Sequence, residues 1–362
     1  MNRNSRIALV HSLILVLIIG PLDSAKAVYN GSDASGAANL VNIIKEESDG
    51  TRFSGCSGAL LAPRVVVTAA HCVTDSKTGL LAKNVWTAPA GSSYKAITEE
   101  GLTRVVLDNV STVAASRAVY EQYRAISIQI TSTYASSSDV VEDNDIAFLV
   151  IDKALAVSTN IAIASDEETE AFILKKNVVR IYGYGETKFE DDPTPKPRSA
   201  VMTLDIKPNN LKNAVYVKSA VSSACRGDSG GPVIVSTPTK LYLIGVITGG
   251  GVSTSGPECS IKVSGNFYAL VTLITKYANL AFGAAVEASL RSDQQMQSTK
   301  AELTSLKESS ELRESALRKD LETYAIKNTE SSDQNKLLAD QNSKLQKKIS
   351  MLCKVRPKPK NC

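Results

Sequence analysis

Short runs of apolar and β-branched residues recur through the body of the chain: Ala59-Leu60-Leu61, Val65-Val66-Val67, Ile126 to Ile130, Ile146 to Ile151, Val178 to Tyr182 and Leu241 to Thr248. Gly, Pro, Ser and Asp separate them. Runs of that length between turn formers read as strands, and their spacing predicts antiparallel sandwiches or barrels. Glu190 to Arg198 is acidic, then Pro-rich, and reads as an exposed loop. Leu270, Ile274, Tyr277 and Ala281 recur at helical spacing and predict a helix over 270–282 that closes the body.

The pattern changes after Gly283. Residues 284–352 contain no Gly or Pro. One heptad column runs Ser289, Met296, Leu303, Ser310, Leu317, Tyr324, Ser331, Leu338, Leu345, Leu352, and seven of its ten members are apolar. The partner column (Val286, Asp293, Lys300, Lys307, Glu314, Leu321, Asn328, Asn335, Asn342, Ile349) is mostly polar. A coiled coil needs both columns apolar, and buried Asn sets register at a cost in stability. The segment therefore reads as a weak self-associating stalk or as a solvated helical spacer. A basic tail, 353–362, follows and carries a cysteine at each end.

The N-terminus adds a compartment. Arg3 and Arg6 precede the apolar run Ile7 to Ile19, Pro21 breaks it, and Ala25-Lys26-Ala27 offers small residues for cleavage. Residues 1–27 read as a secretory signal peptide; a retained membrane anchor is the alternative, but the run is short for a span. Export makes disulfides the expected state of the six cysteines, which fall along the chain as Cys56 and Cys72, Cys225 and Cys259, Cys353 and Cys362. Spacing alone leaves their connectivity open.

Charge is near balance in total (formal +4) yet uneven: from Lys344 onward there are seven Lys/Arg and no acid. Such an end suits an anionic cell-surface polymer or lipid. It has no aromatic for base stacking, so no nucleic acid is expected.

With the leader removed, His71 is the one histidine left, because His11 lies in the apolar run. One imidazole cannot build a two-histidine metal site; it serves as a proton carrier or a structural group. His71 sits in Thr68-Ala69-Ala70-His71-Cys72, directly after an apolar strand. A second string, Asp143-Asn144-Asp145-Ile146-Ala147-Phe148-Leu149, puts an acid at the entrance of an apolar strand. Burying it is costly unless it is hydrogen-bonded, and an imidazole N–H is a useful partner. Asp139 and Asp143 compete for that role, but the Asp-Ile-Ala-hydrophobic string favours Asp145. The third string is Gly227-Asp228-Ser229-Gly230-Gly231-Pro232. Serine needs a base to become a nucleophile, and the glycines permit a tight turn that aims the Gly227 and Ser229 amides at one point.

These three strings, in the order His, Asp, Ser, resemble the chymotrypsin/trypsin family of serine endopeptidases. The resemblance covers Val28 to about Phe282 and leaves the stalk outside. It implies an all-β body of two six-stranded antiparallel β-barrels, about 28–155 and 170–269, closed by the C-terminal helix and followed by the long helical extension. It implies hydrolysis of protein or peptide substrates, with His71 as general base, Asp145 orienting it, Ser229 as nucleophile, and the Gly227 and Ser229 N–H groups as oxyanion hole. No cofactor and no metal are implied.

Cys56–Cys72 looks like the family's bridge beside the catalytic histidine, and Cys225–Cys259 like the bridge framing the specificity pocket; Cys353–Cys362 closes a small loop or cross-links chains. Other bridges common in animal members are missing, which resembles the leaner bacterial branch, as does Val28-Tyr29-Asn30-Gly31. Gly183-Tyr184-Gly185 looks like the family's Gly-Trp-Gly.

Ile247-Thr248-Gly249-Gly250 resembles the segment that pairs with extended substrate, with Thr248 in the place of a serine that bonds the catalytic Asp. The aromatic expected next is replaced by Gly249. Ser223 stands where trypsin-like members carry the Asp that binds Lys or Arg; Gly250 and Gly265 leave the pocket open. A large apolar or aromatic P1 residue is therefore expected, with Glu258 as an alternative charge. Val28 matches the family's activating N-terminus and Asp228 its acceptor. Signal-peptide removal directly before Val28 is thus expected to activate the enzyme without a propeptide.

Overall fold

The computed structural model describes residues 28–355, apart from 35–36, 38, 89–93, 100–101, 108–111, 133, 135–143, 158, 187–195, 251–258, 260–261 and 328–331. Residues 1–27, expected to be a signal peptide, together with Asp139, Asp143, Glu258 and the 356–362 end of the tail, lie outside the described residues. So does any Cys353–Cys362 bridge.

The N-terminal half of the body contains β1 (Ser32–Asp33), β2 (Leu40–Glu46), β3 (Arg52–Ala62), β4 (Val65–Thr68), β5 (Asn84–Thr87), β6 (Tyr94–Glu99), β7 (Leu102–Leu107), helix α1 (Val113–Glu121), β8 (Ala125–Ile130) and β9 (Ala147–Ile151). Six of these strands form one sheet in the order β5-β2-β3-β4-β9-β8, and a Trp86–Arg124 bridge brings its edges together into a nearly closed barrel. Strands β6 and β7 form a separate hairpin.

After β10 (Ile161–Ile163) and α2 (Asp166–Leu174) come β11 (Val178–Gly183), β12 (Arg198–Leu204), β13 (Ala214–Ser219), β14 (Pro232–Ser236), β15 (Leu241–Gly250) and β16 (Phe267–Leu273). These last six close a ring through the β12–β13 pairing. Strand β10 adds to β15 in parallel. The chain thus builds two antiparallel six-stranded barrels: the strand pattern predicted antiparallel sandwiches or barrels, and the family resemblance implied this pair.

Each barrel has its own apolar filling. Val41, Leu60, Val66, Ala147 and Leu149 fill the first, and Ile181, Val215, Val233, Val271 and Leu273 the second. A third cluster, including Val67, Phe148, Val246 and Tyr277, draws on strands of both. Asn39 reinforces the junction, donating to the Leu60 and Thr159 carbonyls.

Three boundaries differ from the sequence pattern. Residues 28–33 belong with the second barrel: Val28 is fully buried in its core, Tyr29 bridges Ser223, and β1 pairs with β12. An isolated two-residue strand leaves no periodic trace.

The expected helix over 270–282 is instead β16, a 3₁₀ turn at Ile274–Tyr277, and helix α3 from Ala278 to Lys327. Phe267 to Leu273 is covered on both faces, so its apolar run has no alternation by which to tell strand from helix.

Gly283 does not end the body either. It lies within α3, where a Cβ would come 2.7 Å from the Gln129 carboxamide oxygen; the glycine permits close packing rather than a break. Beyond it, Ala284 and Ala288 are buried in one cluster with Ile274 and Tyr277, and the compact unit reaches Leu290.

The second unit, 291–362, contains the rest of α3 and α4 (Ser332–Val355). Met296, Leu303, Leu317, Leu338 and Leu345 of the heptad column are exposed there.

Candidate active site

His71 follows β4 within a short 3₁₀ turn, Ala70–Cys72. Its backbone N–H donates to Asp145 Oδ1 at 2.9 Å, and its Nδ1 lies 2.7 Å from Oδ2. The Thr248 hydroxyl, from β15, donates to that same Oδ2. The carboxylate is 6% exposed and the imidazole 38%. Burial acts to raise the Asp145 carboxyl, but the facing imidazole, its hydrogen bond, the Thr248 hydroxyl and the His71 amide outweigh it and hold the group below the usual carboxylate range. An ionised carboxylate on Nδ1 fixes the imidazole tautomer that leaves Nε2 free to accept a proton.

Asp145 is positioned by its neighbours. Asn144 takes a left-handed backbone conformation (φ 76°), and its side-chain oxygen accepts from the Tyr277 hydroxyl at 2.8 Å. Ile146 and the strand behind it are fully buried.

The loop that carries Ser229 is held against the segment that carries the histidine. The Ser229 carbonyl accepts the Ser57 N–H at 2.8 Å and lies 3.6 Å from Cys72 Sγ. The next residue, Gly230 (φ +80°), is pressed so closely on the end of β4 that a Cβ would fall 2.1 Å from Thr68 Oγ1 and 2.9 Å from the Ala69 nitrogen. Only glycine lets the serine loop approach the histidine segment this closely. Gly227 has φ +93°. Among the described residues, the N–H groups of Gly227 and Ser229 donate to no protein acceptor.

Disulfides join Cys56 to Cys72 and Cys225 to Cys259. The first ties β3 to the residue after His71. His71 lies close to Cys56 and Cys72, but both sulfurs are committed to each other and cannot ligate a metal.

Asp228 is completely buried. Its two oxygens accept 2.8 Å hydrogen bonds from the Gly185 and Cys225 N–H groups. Burial pushes its carboxyl up to about 7 against those bonds, and nearby Glu186 pushes the same way. Val28, the expected donor of a new terminus, is fully buried in the same barrel.

Ser223 is fully buried, with its hydroxyl on the Ala224 carbonyl at 2.9 Å. Tyr29, which bridges Ser223, packs edge-on against Phe267 with centroids 5.4 Å apart. A Cβ at Gly265 (φ +79°) would meet nothing within 4 Å. Gly249 and Gly250 continue β15 beyond Thr248, pairing with Leu270 and Ala269.

A family model for trypsin matches residues 36–271. The chain belongs to the trypsin family. Trypsin-family relatives include rat "Transmembrane protease serine 11G", 28% identical over 62% of this chain and 48% of that protein. "CLIP domain-containing serine protease B15" of Anopheles gambiae is 27% identical over 54% of each chain. Human "Chymotrypsin-like elastase family member 1" is 24% identical over 60% of this chain and 78% of the elastase. The chain thus spans about half the length of the first two.

Sequence reasoning passed over three residues. Ser57 donates to the Gly227 carbonyl and accepts the Tyr184 N–H, both at 2.9 Å, so it braces the oxyanion loop against β11. Arg226, beside Gly227, pairs loosely with Glu186 at 3.7 Å. Lys262 sets its ammonium 4.8 Å from the Phe267 ring centre. A lone serine or cation carries no motif, and only the fold shows what each touches. Among the described residues no helix is long and apolar enough to cross a membrane.

Proposed function

We propose that this chain is a secreted serine endopeptidase acting through His71, Asp145 and Ser229. The observation that carries the reading is the buried Asp145 carboxylate gripping the His71 imidazole, with the Ser229 loop packed against the histidine turn. His71 Nε2 takes the Ser229 proton as Oγ attacks the scissile carbonyl. The oxygen of that carbonyl gains negative charge toward the Gly227 and Ser229 N–H groups. His71 then gives the proton to the leaving amine, and the acyl-enzyme forms. Water, deprotonated by the same imidazole, hydrolyses the ester and restores Ser229.

A large apolar or aromatic P1 side chain is the preferred substrate. Ser223 offers no charge to a substrate cation, and its hydroxyl is already engaged. Burying an unpaired guanidinium or ammonium costs several kcal/mol. Lys262 sets a further positive charge over Phe267, whose ring packs against Tyr29, the residue bridged to Ser223. Signal-peptide removal before Val28 frees an ammonium for the buried Asp228. The sparse set of bridges supports the leaner, bacterial type of family member.

Outside the protease domain, the exposed column through Met296, Leu303 and Leu317 is the basis for self-association through 284–352. The basic tail suits an anionic cell-surface polymer. The test of function is cleavage of a peptide library by purified protein beginning at Val28. Hydrolysis lost in Ser229→Ala supports the proposal; equal hydrolysis by that variant overturns it.

A further inference from the structure

A cavity of about 410 Å³ opens where the N-terminal segment, the link between the barrels and β11 meet. That size lies within the ~300–1,000 Å³ of ordinary small-molecule sites. It shares no lining residue with His71, Asp145, Ser229, Gly227 or Ser223. Leu40, Ile161 and Ile234 supply apolar wall, and the Tyr182 ring supplies more.

Among the described residues, one cation lines this wall. Arg180 is half-buried on β11, and one of its guanidinium nitrogens donates to Ser199 Oγ at 3.2 Å. Among the described residues no carboxylate lies within ion-pairing distance of it. A guanidinium carries five N–H donors in a planar fork that matches a carboxylate, so most of its donors remain to be used. Arg180 and Tyr182 stand two residues apart on β11 and so face the same side of the strand. Asp33 is exposed and lines the cavity too. The single planar fork of Arg180 beside apolar walls matches a single carboxylate carried on an apolar body.

We propose that this cavity is a binding site, separate from the catalytic residues, for a small amphipathic monocarboxylate. The acid pairs with Arg180 and the apolar body lies against Leu40, Ile161, Ile234 and Tyr182.

The test uses full-length Ser229→Ala protein, titrated with 4-phenylbutyrate and with its neutral amide by calorimetry. Saturable binding of the acid is expected, with the amide at least tenfold weaker. Arg180→Gln should weaken the acid at least tenfold. Thr159→Trp, at an exposed lining position, should block both ligands without touching the core. Absence of saturable binding at about 10 mM, where even a weak contact registers, overturns the proposal. So does binding that neither Arg180→Gln nor Thr159→Trp alters, which would place the probe elsewhere, including the substrate pocket. If Arg180→Gln unfolds, Thr159→Trp and the acid–amide comparison still decide.

Discussion

The Gly185 N–H donates at 2.8 Å to a carboxylate, that of Asp228, which is completely buried and has no side-chain cation beside it among the described residues. The carboxyl is pushed up to about 7, chiefly by burial. Its unfolded value is about 3.9. Between these, the folded chain holds a proton that the unfolded chain has lost. This group's contribution to stability is therefore fully present below about pH 4 and is lost as pH rises through about 7.

For protein in which Val28 is still joined to Ala27, that loss should amount to about 4 kcal/mol by pH 8. A free Val28 ammonium paired with Asp228 would favour the carboxylate and remove the decline. Urea midpoints across this pH range should diverge between uncut and Val28-started protein, and Asp228→Asn should flatten the uncut profile. Identical profiles for the two forms would count against activation at Val28.

Asp145 receives the His71 ring and the Thr248 hydroxyl on one oxygen. Asp145→Asn should lower kcat by about 10⁴, because an amide no longer fixes the imidazole tautomer or stabilises its charge. Thr248→Val removes one hydrogen bond to a charged acceptor, worth about 1.5–3 kcal/mol. It should lower kcat about ten- to hundredfold with little change in KM. Steady-state kinetics on a peptide amide substrate separates the two effects.

Substrate choice should follow charge. Peptides with Phe, Tyr or Leu at P1 should exceed matched Lys or Arg peptides in kcat/KM by at least about tenfold, the scale of one to a few kcal/mol. Lys262→Gln should narrow the gap by admitting basic residues more readily. A library in which Lys or Arg dominates would reject the assignment of the pocket.

The Cys56–Cys72 bridge closes a loop with a sequence separation of 16. Replacing both cysteines by alanine should cost about 3 kcal/mol by loop entropy. It should also loosen the residue after His71, so activity should fall further than the unfolded fraction explains. Chemical denaturation and activity on the same samples would show it.

The legible parts of this chain were its local strings. The segments around His71, Asp145 and Ser229 each join an apolar strand to a turn, and such patterns survive in sequence because a few neighbours dictate them. Short apolar, β-branched runs between turn residues likewise marked the positions of strands such as β4 and β11.

What sequence left hidden depends on distant contacts. Phe267 to Leu273 is buried on both faces and so imitates helix periodicity at Leu270. Gly283 looks like a boundary until Gln129 is seen against it. Ser57 acquires a role only because the barrels fold Gly227 and Tyr184 onto its hydroxyl. Arg180 is an ordinary strand residue until the cavity beside it comes into view.

In the proposed mechanism Ser229 is a nucleophile made reactive by His71. The most direct measurement is mass spectrometry of Val28-started protein treated with a serine-directed phosphonate carrying a phenylalanine-like side chain. A single adduct on Ser229 is expected, formed in step with loss of peptidase activity and absent from Ser229→Ala and His71→Ala. Peptidase activity that persists while Ser229 is fully modified, or that survives in Ser229→Ala, would contradict it.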